Sequence, residues 1–220
     1  KLPEIWNSHP GFNFKREKIE SPFIKNNYFT FGSFNNFNKI SDLTLKCWSE
    51  IIKETKNPKL ILKSSINYNL ENFLTRLKRF EIYDHVKILE KSSDFSVHLN
   101  QYDEIDLALD TFPYNGVTTS FEALWKGVPV LTMDGYNFNS RCGSSIMKNS
   151  GNEYLIAKDQ NDYISKAVFL SQNKDKLIEI RDNIFENAPK TPLFNVSRFS
   201  KYFEEMLDKI ILEKLLVKNN

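Results

Sequence analysis

Between Asp110 and Glu122 the chain reads DTFPYNGVTTSFE. A glycine-bearing bend that enters a helix through two threonines leaves main-chain N–H groups without intrahelical partners, at the positive end of the helix dipole. Such an arrangement binds anions, and a phosphate or diphosphate fits it best. Thr118 and Thr119 would stand at the helix start. Asn115 and Gly116 would form the bend, where an Asn-Gly pair favours positive φ and lets the backbone come close to a ligand. An ordinary strand–turn–helix with a threonine cap uses the same parts, so the segment alone leaves both readings open. A second group of interest is Lys39, the one cation in FNNFNKI, residues 34–40. It follows a strand end and precedes a helix, which in an α/β sheet is the edge where ligands bind. The competing reading is a solvated lysine.

Regular elements must position these groups. Ile105, Leu107 and Leu109 alternate with Asp106, Ala108 and Asp110, a short strand ending at a carboxylate. Asp110 is best placed to cap the following turn, and no D-x-D pair suggests a metal ligand. Phe121, Leu124, Trp125 and Val128 give the next helix its apolar face, and residues 129–133 form a buried strand. Earlier strands are predicted at 27–33, closed by Gly32, at 59–63 and at 86–89. Helices are predicted from Ser41 or Asp42, with Leu43, Leu45, Trp48, Ile51 and Ile52 inward, from Leu70 to Phe80, and briefly around His98 and Tyr102. Asp134-Gly135 turns the chain. SRCGSSIM, residues 140–147, reads as a small-residue helix that packs close to a ligand or to a neighbouring backbone, with Arg141 and Ser144 near the site. A strand at 154–157, helices at 161–170 and 174–185, and a long helix from Ser197 to Leu216 complete the pattern.

Alternation of strands and helices predicts an α/β fold: a Rossmann-like, doubly wound parallel sheet of about six strands. The expected divisions are a leader over residues 1–26 that packs on the domain edge or links upstream, a Rossmann-like domain over 27–194, and a terminal helix over 195–220. Pro3, Pro10 and Pro22 make a continuous element in the leader unlikely to form, and His9 within it reads as a surface histidine. Among 220 residues, 30 basic and 28 acidic side chains nearly cancel, which argues against a bulk nucleic-acid or anionic-membrane binder. Any anion site must be local. Only Cys47 and Cys142 occur, with no CxxC spacing, so zinc is unsupported and a reducing, cytoplasmic compartment is expected. No apolar run has membrane-spanning length. The opening Lys1 reads as the start of a fragment.

FGSFNNFNKIS, HLNQYDEIDLALDTFPYNGVTTSFEALWKGVPVLTM and SRCGSS together closely resemble the C-terminal half of the catalytic region of O-linked N-acetylglucosamine transferases. This is the tetratricopeptide-linked family that includes Spindly-type and bacterial members. The resemblance implies the C-terminal, donor-binding lobe of a two-lobed (GT-B) glycosyltransferase, using a UDP-sugar, inverting the anomeric centre and modifying Ser or Thr hydroxyls with no metal or other cofactor. One branch uses GDP-fucose. Lys39 matches the lysine that contacts the donor diphosphate and would act in catalysis. Thr118 and Thr119 match the phosphate-binding helix start, Asn115 and Gly116 the turn beneath it. Glu122 matches an acidic position that holds ribose hydroxyls, although Thr119-Ser-Phe-Glu122 also fits a capping box. His98 matches a histidine near the nucleoside. Two positions depart from animal members: Val117 replaces a histidine, and Phe95 replaces a lysine against the base.

The expected partners are therefore a UDP-sugar, a protein or glycan acceptor, a missing N-terminal catalytic lobe and possible upstream tetratricopeptide repeats. No general base is visible; the family places its acceptor-side groups largely in the other lobe. Two alternatives accompany this expectation: the same fold acting on a bacterial glycan or small molecule, and a non-catalytic interaction module.

Overall fold

The computed structural model describes residues 2–64 and 69–218. Residues 1 and 219–220, the outer ends of the predicted leader and terminal helix, lie outside them. The strands are β1 (Phe29–Ser33), β2 (Pro58–Lys63), β3 (Val86–Leu89), β4 (Leu107–Leu109), β5 (Val130–Met133) and β6 (Ile156–Ala157). The helices are α1 (Pro22–Lys25), α2 (Asp42–Glu54), α3 (Leu70–Arg79), α4 (Phe95–Asn100), α5 (Thr118–Trp125), α6 (Phe138–Asn149), α7 (Gln160–Gln172), α8 (Lys174–Asn187) and α9 (Val196–Lys218).

Among the described residues the strands form one parallel sheet in the order β3-β2-β1-β4-β5-β6. The order reverses between β1 and β4, which pair directly through Phe31–Leu107 and Gly32–Ala108. Connections leave the carboxyl ends of these two strands in opposite directions, so a crevice opens there. Lys39 follows β1 and the Asn115–Thr119 bend follows β4, so the topology brings both loops to one edge.

Helices cover both faces, and the central strands read as buried throughout. β1 and β4 have no exposed residue. The alternation expected of a half-exposed strand at 105–110 is therefore replaced by full burial: Asp106 and Asp110 are as hidden as their apolar neighbours. Each buried carboxylate is compensated by donors, as burial requires. Asp106 accepts from Ser21 Oγ (2.6 Å), the Phe23 amide (3.0 Å) and the Thr30 amide (2.8 Å), which ties the leader to β1. Gly32 lies inside β1 rather than closing it.

In α2, Leu45, Trp48, Ile51 and Ile52 face inward, but Leu43 is exposed. Ser41 caps this helix by accepting from the Thr44 amide at 3.0 Å. Trp48 Nε1 donates to the Tyr163 hydroxyl of α7 (3.3 Å), and that hydroxyl donates to the Asp110 carbonyl (2.9 Å). A chain of buried polar contacts thus runs from the helical layer to the end of β4.

The leader is anchored rather than loose. The Arg16 guanidinium donates to the carbonyls of Trp125 (2.8 Å) and Phe185 (2.6 Å) and lies over both rings. His9 is not a free surface histidine: its ring stacks on Phe12 at 4.2 Å and its Nδ1 is buried. Phe12 in turn meets Trp125 and Phe95, at 5.8 and 5.6 Å between ring centres. Segments lacking periodicity hide such packing, because each contact is made by an isolated residue.

Candidate functional site: two loops at the sheet switch point

Lys39 ends a single 3-10 turn, Phe37–Lys39, capped by Asn36. Its Nζ donates to the Asn115 carbonyl at 3.1 Å and stands 4.3 Å from the centre of the Tyr114 ring. The ammonium and the bend therefore meet. Burial lowers the pKa of Lys39, while the nearby Asp110 carboxylate opposes that shift.

Asp110 forms the floor of the bend. Its Oδ1 accepts from the amides of Gly116 (2.6 Å) and Thr111 (2.9 Å), and its Oδ2 from Thr132 Oγ1 (2.7 Å). Burial nevertheless pushes its carboxyl up to about 6, against the pull of these donors and of Lys39. Asn115 is also committed inward: its Nδ2 donates to the Thr111 carbonyl (2.8 Å), its Oδ1 accepts from the Gly143 amide (3.1 Å), and its own amide donates to the Asn139 carbonyl (3.0 Å). At Gly143 the small-residue helix meets side chains, those of Asn115, Asp110 and Thr132, rather than a neighbouring backbone. Gly143 packs against protein, and a Cβ there would lie 2.0 Å from Thr132 Oγ1 and 2.7 Å from Asp110 Oδ2.

The bend corrects one expectation. Neither Asn115 nor Gly116 has positive φ; the turn contains a cis Phe112–Pro113 peptide instead. Gly116 is required by space. A Cβ would lie 2.5 Å from Thr119 Oγ1 and 2.8 Å from Asn35 Oδ1, the two atoms joined by a 3.0 Å hydrogen bond. Gly116→Ala is expected to break that bond and destabilise the chain by about 1–3 kcal/mol; chemical denaturation would measure it.

Helix α5 starts at Thr118, with Val117 as the cap residue and no side-chain cap. The first helical bonds run from the Ser120 and Phe121 amides to the Val117 carbonyl, so the Thr118 and Thr119 amides lie ahead of them, as in any first helical turn. The Gly116 amide, by contrast, is held by Asp110. Thr118 is exposed and Thr119 half-buried. Both line a cleft of about 370 Å³ whose walls include Phe34, Lys63, Phe95, His98 and Glu122.

Glu122 does not close a capping box. It is buried, and its Oε2 meets His98 Nε2 at 3.0 Å and accepts from the Tyr102 hydroxyl at 2.8 Å. His98 Nδ1 in turn lies 2.8 Å from Lys63 Nζ. The structure thus brings His98, Thr118, Thr119 and Glu122 to one cleft, whereas Lys39, Asn115 and Gly116 do not line it and are tied to it through the chain and the Gly116–Thr119 packing. Lys63 and Tyr102 are additions that the sequence reading did not single out. A signal for Lys63 existed: it is a cation at the carboxyl end of an apolar parallel strand, the same argument that marked Lys39. Phe95 borders the cleft 5.8 Å from His98 between ring centres. Arg141 is largely exposed, with Nε 3.9 Å from Asp134 Oδ1. No cluster of His, Cys, Asp or Glu that could hold a metal occurs among the described residues, and no helix among them is long and apolar enough to cross a membrane.

Comparison with known proteins bears on the family and the fold. The chain is 32% identical over 193 residues to a probable UDP-N-acetylglucosamine–peptide N-acetylglucosaminyltransferase SPINDLY of Solanum lycopersicum, covering 84% of this chain and 20% of that protein. It is 29% identical over 182 residues to the UDP-N-acetylglucosamine–peptide N-acetylglucosaminyltransferase of Caenorhabditis elegans, covering 82% of this chain and 16% of that one. The chain therefore spans about a fifth of the length of the curated relatives it matches. Among solved structures, a mutant O-GlcNAc transferase of Thermobaculum terrenum superposes with a TM-score of 0.82 at 24% identity, over 95% of this chain and 40% of that one. The C-terminal domain of a group 1 glycosyl transferase from Francisella tularensis superposes with a TM-score of 0.59 at 11% identity, over 80% of this chain and 93% of that one. The fold is that of the C-terminal lobe of a GT-B glycosyltransferase. The model of glycosyl transferase family 41 matches residues 20–203, so the chain belongs to that family.

Proposed function

We propose that this chain is the donor-binding part of an inverting, metal-independent glycosyltransferase. It takes a UDP-sugar, with N-acetylglucosamine as the sugar, and passes the sugar to Ser or Thr hydroxyls of a protein. The observation that carries this reading is the 3.1 Å contact between the Lys39 ammonium and the Asn115 carbonyl, at the foot of the α5 N-terminus.

Cleavage of the glycosidic bond leaves growing negative charge on the diphosphate. Lys39 and the Thr118 and Thr119 amides supply positive potential from two loops, and each such group is worth roughly 2–4 kcal/mol in the transition state. The cleft beyond them suits a nucleoside: Phe34 and Phe95 offer apolar walls, and Glu122 with His98 offers polar contacts to the ribose. Acceptor-side groups, including the general base, would belong to an N-terminal lobe of the parent protein, with tetratricopeptide repeats further upstream. Phe203, Leu207, Ile210 and Ile211 of α9 are exposed and would pack on that lobe. The buried free thiols of Cys47 and Cys142 support a reducing, cytoplasmic setting.

Calorimetry with UDP, GDP and uridine tests the reading. UDP is expected to bind at least tenfold more tightly than uridine, because charge-assisted bonds to the phosphates carry the affinity. A folded chain that binds neither diphosphate would refute it.

A further inference from the structure

Lys63 closes β2 at the ligand-bearing edge, yet it is 4% exposed. Its Nζ contacts His98 Nδ1 at 2.8 Å, donates to Gln101 Oε1, and lies 5.8 Å from the Phe34 ring centre. A charged lysine has donors only. The Nδ1 that meets it must then be the bare ring nitrogen. The proton of a neutral imidazole therefore sits on Nε2, which donates to Glu122 Oε2 at 3.0 Å. Tyr102, itself fully buried, donates to the same oxygen at 2.8 Å. Glu122 Oε1 takes part in neither bond.

We infer that Lys63 is a positioning residue of the donor cleft: it locks His98 as the Nε2–H tautomer and, through that ring, orients the Glu122 carboxylate to accept the vicinal ribose diol of a nucleoside diphosphate. Lys63 itself need not touch the ligand. The cluster is close to neutral, one ammonium and one carboxylate bridged by an uncharged ring, which is the condition under which buried charges persist. Burial lowers the Lys63 pKa, and the Glu122 charge raises it. Without Lys63 the ring could flip or change tautomer, and Glu122 would lose one of its two fixed donors.

The ligand half of this inference rests on the donor-site reading above; the tautomer half stands without it. Two experiments separate them. Nitrogen NMR of the histidine rings at about pH 8, above the ordinary imidazole range, reads the tautomer directly, with the His98 signals assigned by their loss in His98→Gln. A bare Nδ1 and a protonated Nε2 are expected. A proton on Nδ1, alone or together with one on Nε2, overturns the inference. Calorimetry then compares UDP with 2′-deoxy-UDP on the wild-type chain and on Lys63→Met. The wild type is expected to favour UDP by roughly tenfold, the scale of a hydrogen bond to a charged group, and Lys63→Met to shrink that ratio severalfold. Equal weakening of both ligands, with the ratio kept, assigns Lys63 a merely structural role and overturns the inference. If the wild-type chain binds neither ligand, the donor-site reading falls and the diol half falls with it. An unchanged ratio in a chain that does bind UDP overturns the role of Lys63 alone.

Discussion

Lys39→Ala is expected to weaken UDP binding by about 10- to 100-fold and to leave uridine binding unchanged. In the parent transferase the same substitution is expected to lower turnover by roughly 10²–10³-fold. The larger effect on rate arises because the leaving diphosphate gains charge on the way to the transition state, so the ammonium interacts more strongly there than in the ground state. The uridine control matters. Lys39 also holds the Asn115 carbonyl and lies over Tyr114, so a general collapse of the bend would weaken both ligands alike, which would refute a specific phosphate role. A pH signature accompanies the prediction. Burial lowers the pKa of free Lys39, and a bound diphosphate favours the charged amine. Above the free value, binding must take up a proton. Affinity for UDP should therefore fall as pH rises through it, and this alkaline decline should vanish in Lys39→Ala.

Asp110→Ala is expected to destabilise the chain by about 3–5 kcal/mol in chemical denaturation. It strands the Gly116 and Thr111 amides and the Thr132 hydroxyl, all buried and all aimed at one carboxylate. Asp110→Asn keeps an acceptor for the amides and should cost far less. The two proteins should also differ in pH response. Burial raises the folded-state pKa of Asp110 from 3.8 to about 6, so between these values the native state binds more protons than the unfolded one. The contribution of this group is present in full at the acid end and is lost as pH rises through about 6. Relative to Asp110→Asn, the wild type should lose about 2 kcal/mol between pH ~4 and pH ~7. No change in that difference would mean that the carboxylate stays charged throughout.

The parts legible in the sequence are those encoded locally. Helix α5 announces itself by spacing, Lys39 by its place after a strand, and the parallel sheet by alternation of elements. Topology then makes Lys39 and the bend neighbours, since the loops after β1 and β4 flank the reversal of strand order. The Lys63–His98–Glu122–Tyr102 cluster was not legible. Its members come from β2, α4, the turn after it and α5, and no local pattern reports a contact among four separate segments. The same limit explains Glu122: its spacing from Thr119 fits a capping box, but tertiary partners claim the carboxylate. It also explains Gly116, where sequence suggests a dihedral reason and the crowding of Thr119 and Asn35 supplies a steric one.

The anchoring of the leader reaches beyond the leader itself. Phe12 sits between Trp125 on α5 and Phe95 on α4, the two helices that carry Glu122 and His98. Cutting the polypeptide back to the first strand would therefore remove the ring that props these two helices apart, while leaving every residue that lines the cleft between them in the sequence. A trimmed protein of that kind would uncover Trp125 and add to the apolar surface already exposed at Phe95, inviting self-association. The segment ahead of β1 thus sets how α4 and α5 are braced, even though no described residue upstream of Phe29 belongs to the sheet.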